Sequence, residues 1–164
     1  MSIGMLILRL VIGVTLAAHG VQKLLGLTRT AAVFEHLGFV PGRRKALLAG
    51  LAEVGGGLLL AVGLATPLAA AVALSVMVVA GVSAHAQKGF FAHNGGYEYT
   101  LILGIAALSI AFTGPGPLSL DAALGVRDAG AGWGLGALVV GLAGAGVQLA
   151  QRRETKGASA PART

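Results

Sequence analysis

The sequence contains no cysteine. This excludes disulfide bonds, thiolate nucleophiles, iron–sulfur clusters and cysteine-ligated metals. Charged residues are also scarce, at 11% of the 164 residues, whereas soluble domains carry about 25%. Because the mean hydropathy is +0.83, the composition indicates a membrane protein. The length is typical of a single domain.

Several sequence patterns of known enzymes and transporters are missing as well. The chain has no glycine fingerprint of a dinucleotide-binding fold and no His-Glu-x-x-His metal motif. Two histidines and two glutamates have suitable ligand types for a metal, but without tight spacing this hypothesis ranks low and we predict no metal. The sequence shows neither inverted repeats nor broken helices, the two features that would indicate a transporter. Arg9 interrupts the first apolar segment, so we expect no removable signal peptide.

Long apolar segments dominate what remains. A transmembrane helix needs roughly 20 mostly apolar residues, and five segments meet or approach this length: 5–25, 46–64, 67–86, 97–113 and 133–150. The fifth segment is rich in glycine, which lets helices in lipid approach each other closely. The sequence therefore predicts an all-α integral membrane helix bundle in a lipid bilayer.

The basic residues predict the orientation of this bundle. With five spans, the first loop, the third loop and the tail fall on one side, and they carry ten of the twelve basic residues. These are Lys23, Arg29, Arg43, Arg44, Lys45, Lys88, Arg152, Arg153, Lys156 and Arg163, whereas Arg9 and Arg127 lie near the other face. Positive residues accumulate in cytoplasmic loops, so we expect the N-terminus outside and the C-terminus in the cytoplasm. The net charge of +6 does not indicate nucleic acid, because the basic residues lie between apolar segments.

The connecting segments have their own signatures. Residues 28–39 read as a short interfacial helix, with Phe34 and Leu37 directed toward lipid. The tail at 152–164 is polar and basic, and we predict that it is disordered.

Polar side chains from four helices fall at one level when helix positions are converted to depth at 1.5 Å per residue. This level lies in the cytoplasmic half of the bundle and contains His19, Lys23, Glu53, His85 and Glu98, with Tyr97 and Tyr99 beside it. Arg9 shares a face of the first helix with His19 and Lys23, but lies roughly 20 Å further out.

Glu53 is the most informative of these residues. It lies about 12 Å beyond Lys45 in the second segment, where an unpaired carboxylate is costly. We expect it to face protein and to be protonated or paired with a partner such as His19 or Arg9. The same helix face carries small residues suited to close packing, namely Ala46, Ala49, Gly50 and Gly57.

Each polar residue also has a purely structural interpretation. Lys23 can act as an anchor at the lipid headgroups, and His19 can be a buried imidazole with one hydrogen bond. His85 and Glu98 can complement helix dipoles. Glu53 can form an ion pair that fixes the register of the helices.

Three strings occur in order over about residues 5–125: HGVQKLLG, LAGLAEVGGGLLLAVGLATPLAA and GGYEYTLILGIAALSIAFTGPGPLSLDAALG. Together with Arg9, this combination resembles the DoxX family of small bacterial membrane proteins. The resemblance implies a four-helix membrane domain, here residues 1–125, in the bacterial inner membrane. Residues 126–151 then form an additional fifth helix. Some relatives are linked to sulfur oxidation with quinone as acceptor, or to membrane complexes that handle oxidative stress.

Two functional hypotheses follow. In the first, the protein is a subunit of a quinone-linked oxidoreductase and takes electrons from a soluble redox enzyme at the cytoplasmic face. The candidate catalytic residues are then Glu53, His19 and Glu98, and the candidate quinone-binding residues are Lys23, His85, Tyr97, Tyr99 and Arg9. In the second, the protein is a non-enzymatic scaffold that docks soluble redox enzymes through its basic loops.

Overall fold

The computed structural model describes residues 2–126 and 128–153, and these residues form helices and no strand. The helices are α1 (Ser2–Leu25), α2 (Leu27–His36), α3 (Gly42–Val62), α4 (Thr66–Ala80), α5 (Glu98–Thr113), α6 (Leu120–Ala123) and α7 (Ala131–Ala150). Within these residues, four apolar helical stretches are long enough to cross a membrane, and α5 is a shorter apolar helix. The predicted all-α membrane bundle is confirmed.

The third apolar segment begins as α4 and changes its helical form before it ends. Pro67 lies in the first turn of α4. Its missing N–H costs nothing there, because the N–H groups of a first turn have no partner within the helix. The chain then continues as a π-helical turn (Gly81–His85) and a 3₁₀ turn (Ala86–Lys88). The whole stretch Thr66–Lys88 is apolar and 23 residues long. Single π turns inside helices occur often at functional sites, and this one places His85.

Helices α1 and α3 pack closely because both present glycine at their contact. A Cβ atom added to Gly13 would overlap the carbonyl oxygen of Gly57, and one added to Gly57 would overlap that of Gly13. Two turns further on, a Cβ atom added to Gly20 of α1 would overlap the carbonyl oxygen of Gly50 in the same way. The small-residue face predicted on α3 is therefore confirmed, and it brings α1 next to Glu53.

The centre of the bundle is α4, which packs against α3, α5 and α7. Its inward residues are mostly alanines, and they meet larger side chains of the neighbouring helices such as Leu60 and Ile110. This core comes from α1, α3, α4, α5 and α7. The predicted fifth helix is thus an integral part of the bundle.

One end of the bundle, which we call the basic end, contains residues 19–45, 81–99 and 148–153. Helix α2 lies here against α3, so the predicted short helix is present. Phe34 and Leu37, which we expected to face lipid, instead line a cavity of the bundle, because α2 turns this face toward α3.

The backbone N–H of Arg153 donates to the carbonyl of Gly38 (2.8 Å), and Nε of Arg152 donates to that of Leu37 (2.9 Å). The end of α7 is therefore attached to the loop after α2. The predicted disorder of residues 152–164 is therefore wrong for Arg152 and Arg153, which these bonds hold in place. Residues 154–164 lie outside the described residues, as does Arg127.

The opposite end is held together by Asp121. Its carboxylate accepts bonds from the backbone N–H groups of Ala65 (2.8 Å) and Thr66 (3.0 Å) and from the Thr66 hydroxyl (2.7 Å). Free N–H groups and the helix dipole at an N-terminus favour a carboxylate at this position. Asp121 thus caps α4 from a segment 55 residues away and is itself buried.

Candidate functional site

A cavity of about 750 Å³ lies at the basic end of the bundle, between α2, α3, α4 and α7. Small-molecule sites commonly have volumes of roughly 300–1,000 Å³. Most of its wall is apolar, with Phe34, Leu48 and Val76 among the lining residues. Its polar lining includes Lys23, Arg29, Lys45, Glu53, Ser75, Ser83, His85 and Gln148. We call this space the basic-end cavity.

An ion pair between Lys23 and Glu53 forms part of the cavity wall. Lys23 Nζ lies 2.5 Å from Glu53 Oε2, and the two side chains are 27% and 3% exposed. It is the single ion pair within residues 2–126 and 128–153. Glu53 faces protein, as predicted, but the partners that we expected for it, His19 or Arg9, were wrong. The physical reason is the close contact at Gly20 and Gly50, which brings the next turn of α1, with Lys23, over Glu53.

This ion pair bears on the interpretation of Lys23 as an anchor at the lipid headgroups. The ammonium group donates to the carboxylate of Glu53, so the side chain does more than anchor α1 at the headgroups. Removing one partner of a buried pair is costly, because the other charge is left without compensation.

Lys45 and Gln148 connect α3 to α7 at the mouth of the cavity. Lys45 Nζ donates to Oε1 of Gln148 (3.0 Å) and also to Oε1 of Gln151. Otherwise α7 packs mainly against α4 and α5. The side of the cavity between α3 and α7 is therefore closed by these polar bonds at its basic end rather than by helix packing.

His85 lies at the end of the π turn and lines the same cavity. Its Nδ1 is 2.6 Å from the carbonyl oxygen of Gly95. Because a carbonyl oxygen only accepts, Nδ1 carries the proton, and Nε2 is the ring nitrogen left to accept a bond. Ser83 lies in the same turn, and its hydroxyl donates to the carbonyl of Val79 (2.5 Å).

Four of the predicted site residues lie at the basic end but do not line this cavity. The hydroxyl of Tyr99 is 3.3 Å from His19 Nε2, and this pair is exposed on the side of the bundle where α1 meets α5. Glu98 accepts a bond from the backbone N–H of Ala92 (2.9 Å) and so orders the loop before α5. Tyr97 lines a separate apolar cavity of about 420 Å³ between α4, α5 and α7.

Arg9 lies at the opposite end of the bundle. Its side chain is fully buried, packs against Gly63, and donates from Nη2 to the carbonyl of Leu118. Its Nε and Nη1 have no hydrogen-bond partner. The structure therefore brings Lys23, Glu53 and His85 together and separates them from His19, Tyr99, Glu98, Tyr97 and Arg9. In the part of the chain that the structure describes, no three acidic or histidine side chains are grouped to hold a metal.

The family model of DoxX matches residues 4–86, slightly more than half of the chain. The chain belongs to the DoxX family. The matched part of this DoxX protein contains α1 to the π turn, and with it Lys23, Glu53 and His85. It stops before Tyr97–Tyr99 and before α7, so the resemblance drawn from the sequence beyond residue 86 stays a prediction. No curated protein and no solved structure matches the chain.

Sequence reasoning missed several residues of the cavity. Arg29 and Lys45 were read only as charges that orient the bundle, and Ser75, Ser83 and Gln148 were not considered. One signal was present: Gln148 is the single strongly polar side chain in α7, and a polar residue inside an apolar helix is commonly directed at a partner within the bundle.

Proposed function

We propose that this DoxX protein is a membrane subunit of a quinone-linked oxidoreductase system and that it holds a quinone headgroup in the basic-end cavity. The observation that carries this proposal is the Lys23–Glu53 ion pair in the wall of a mostly apolar cavity at the end of a membrane bundle. A scaffold without a ligand has little use for a carboxylate that is 3% exposed at this depth.

The lining residues fit such a ligand in both shape and polarity. Apolar side chains suit the ring and its isoprenoid tail. Away from the Lys45–Gln148 bond, α3 and α7 pack little against each other, and this gap between them offers a path from lipid. Lys23 Nζ can donate to a carbonyl oxygen of the headgroup while it remains paired with Glu53. A second N–H donor is available from the amide of Gln148, whose Oε1 is already engaged by Lys45, and His85 can donate from Nε2 only after that nitrogen has taken up a proton.

When bound, a quinone accepts two electrons and two protons, and the chain supplies groups for the protons. His85 Nε2 can take up a proton because Nδ1 is fixed as the donor to Gly95. Glu53 Oε2 holds the Lys23 ammonium in place, so the positive charge stays directed into the cavity. His85 would then pass this proton from Nε2 to the headgroup, in the manner of a general acid, and the second proton would come from water at the basic end.

Electrons would come from a soluble redox enzyme, since the chain has no cysteine and no dinucleotide fingerprint. Arg43 and Arg44 are exposed at the basic end and offer a docking surface for an acidic partner. We place this end in the cytoplasm and the protein in the bacterial inner membrane, with the N-terminus outside, following the distribution of basic residues.

The binding of a short-chain quinone analogue to the purified protein, in zwitterionic lipid, tests the cavity. Replacing Lys23 by methionine together with Glu53 by glutamine is expected to lower affinity about tenfold or more, since hydrogen bonds to charged groups are worth roughly 1.5–3 kcal/mol. The control is His36→Gln, on an exposed residue outside the cavity. Absence of binding to the wild-type protein, with its co-purifying partners present, would contradict the proposal.

The scaffold hypothesis is the second candidate, and the exposed arginines at the basic end favour it. It predicts that Glu53→Gln leaves the function intact, whereas neutralising Arg43 and Arg44 abolishes capture of a soluble partner. Lys45 is less suitable for this test than the sequence suggested, because it is bound to Gln148 and lines the cavity.

A further inference from the structure

We propose a second binding site at the mouth of the basic-end cavity, where Arg29 and Lys45 bind the phosphate of an anionic membrane phospholipid. This site uses residues other than those assigned to the quinone headgroup. It does not depend on the redox function.

The charge balance of the cavity lining is the first argument. Three cations line the cavity, Lys23, Arg29 and Lys45, against the single carboxylate of Glu53. Glu53 is paired with Lys23, and the side-chain partners of Lys45 are the neutral amides of Gln148 and Gln151. Among the residues that the structure describes, two positive charges of the lining are therefore left without a negative partner in it, which favours an anionic ligand.

The depth of these cations is the second argument. Lys45 lies in the first turn of α3, eight residues and thus about 12 Å before Glu53 along the helix axis. Arg29 lies on the interfacial helix α2. Both charges therefore lie at the level of lipid headgroups, where basic pockets between helices bind anionic lipids.

The apolar surroundings of the mouth indicate a lipid rather than a soluble phosphate. Leu48, one turn below Lys45, is 47% exposed, and Val33, one turn after Arg29, is 51% exposed. Both line the cavity. A phospholipid whose phosphate lies between Arg29 and Lys45 would place its acyl chains along these side chains and into the gap between α3 and α7.

Lipid retention by the full-length protein tests this site. The protein is exchanged into mixed micelles that contain phosphatidylglycerol or phosphatidylcholine, and bound lipid is measured by native mass spectrometry. We expect preferential retention of phosphatidylglycerol. Arg29→Gln and Lys45→Gln should each weaken it about fivefold, whereas Lys45→Arg should retain it.

Arg43→Gln and Arg44→Gln are matched controls, because they remove the same charge from the same turn of α3 but do not line the cavity. We expect them to change retention less than twofold. Equal loss in all four glutamine variants would overturn the proposal, since it would indicate general surface attraction. Equal retention of both lipids would also overturn it, as would displacement of the lipid by glycerol phosphate at matched concentration. Quinone binding is measured separately in phosphatidylcholine, so failure of one proposal is distinguishable from failure of the other.

Discussion

Lys23→Met is expected to destabilise the protein by about 3 kcal/mol, and adding Glu53→Gln is expected to recover most of this loss. The single change leaves a carboxylate that is 3% exposed without its ammonium partner, whereas the double change removes both charges. Glu53→Gln alone should cost less, because Lys23 is 27% exposed and its long side chain can turn toward water. The measurement is a double-mutant cycle on unfolding by SDS in mixed micelles.

Lys88→Met is the control for the loss of one positive charge at the basic end. Lys88 is exposed and takes no part in an ion pair in the described structure, so we expect a change within about 0.5 kcal/mol. A coupling energy near zero between Lys23 and Glu53 would contradict the ion pair as a stabilising contact of the fold. It would also remove the main support for a preorganised polar site.

Gly57→Ala and Gly55→Ala should differ strongly although the two glycines are two positions apart in α3. A Cβ at Gly57 overlaps the backbone of α1 at Gly13, whereas a Cβ at Gly55 meets no atom within 4 Å. We expect Gly57→Ala to destabilise by about 3 kcal/mol, the upper part of the range for overpacking. Gly55→Ala should be neutral or stabilising by up to about 1 kcal/mol, because alanine favours a helix.

If quinone binds as proposed, the Gly57 variant should also weaken its binding, since forcing α1 away from α3 separates Lys23 from Glu53. Thermal unfolding in mild detergent, followed by the fluorescence of Trp133, gives the stability of both variants. Equal stability of the two alanine variants would mean that α1 and α3 do not approach each other as closely as the structure describes.

The helices, and the grouping of polar residues toward one end of the bundle, were predictable because the length of apolar segments and the positions of charges are read directly from the sequence. Hydropathy predicted the five apolar segments that are helices in the structure. The glycines of α3 predicted the face with which it packs against α1. The grouping of Lys23, Glu53 and His85 agrees with the one cavity that all three line. These properties depend on local composition and on the fixed rise of a helix.

The partners within that grouping were not predictable, because depth does not determine which helices are neighbours or how each is rotated. His19 and Lys23 are four residues apart on α1, yet Lys23 reaches Glu53 on α3 and His19 meets Tyr99 on α5. Lys45 and Gln148 are 103 positions apart in sequence, and only the packing of α7 on α4 brings them together. The residues that the sequence grouped into one candidate site thus lie in two places: Lys23 and Glu53 line the basic-end cavity, whereas His19 and Tyr99 form a separate exposed pair.

Photo-crosslinking with a quinone analogue that carries a photoreactive headgroup is the most direct measurement of the central claim. We predict adducts on α3 near Glu53 and on the segment from Val72 to His85, with strong reduction in the Lys23→Met/Glu53→Gln variant. Free quinone without the photoreactive group should compete. Adducts at His19 and Tyr99, or adducts spread over the lipid-facing surface and unchanged in the variant, would contradict a quinone site in the basic-end cavity.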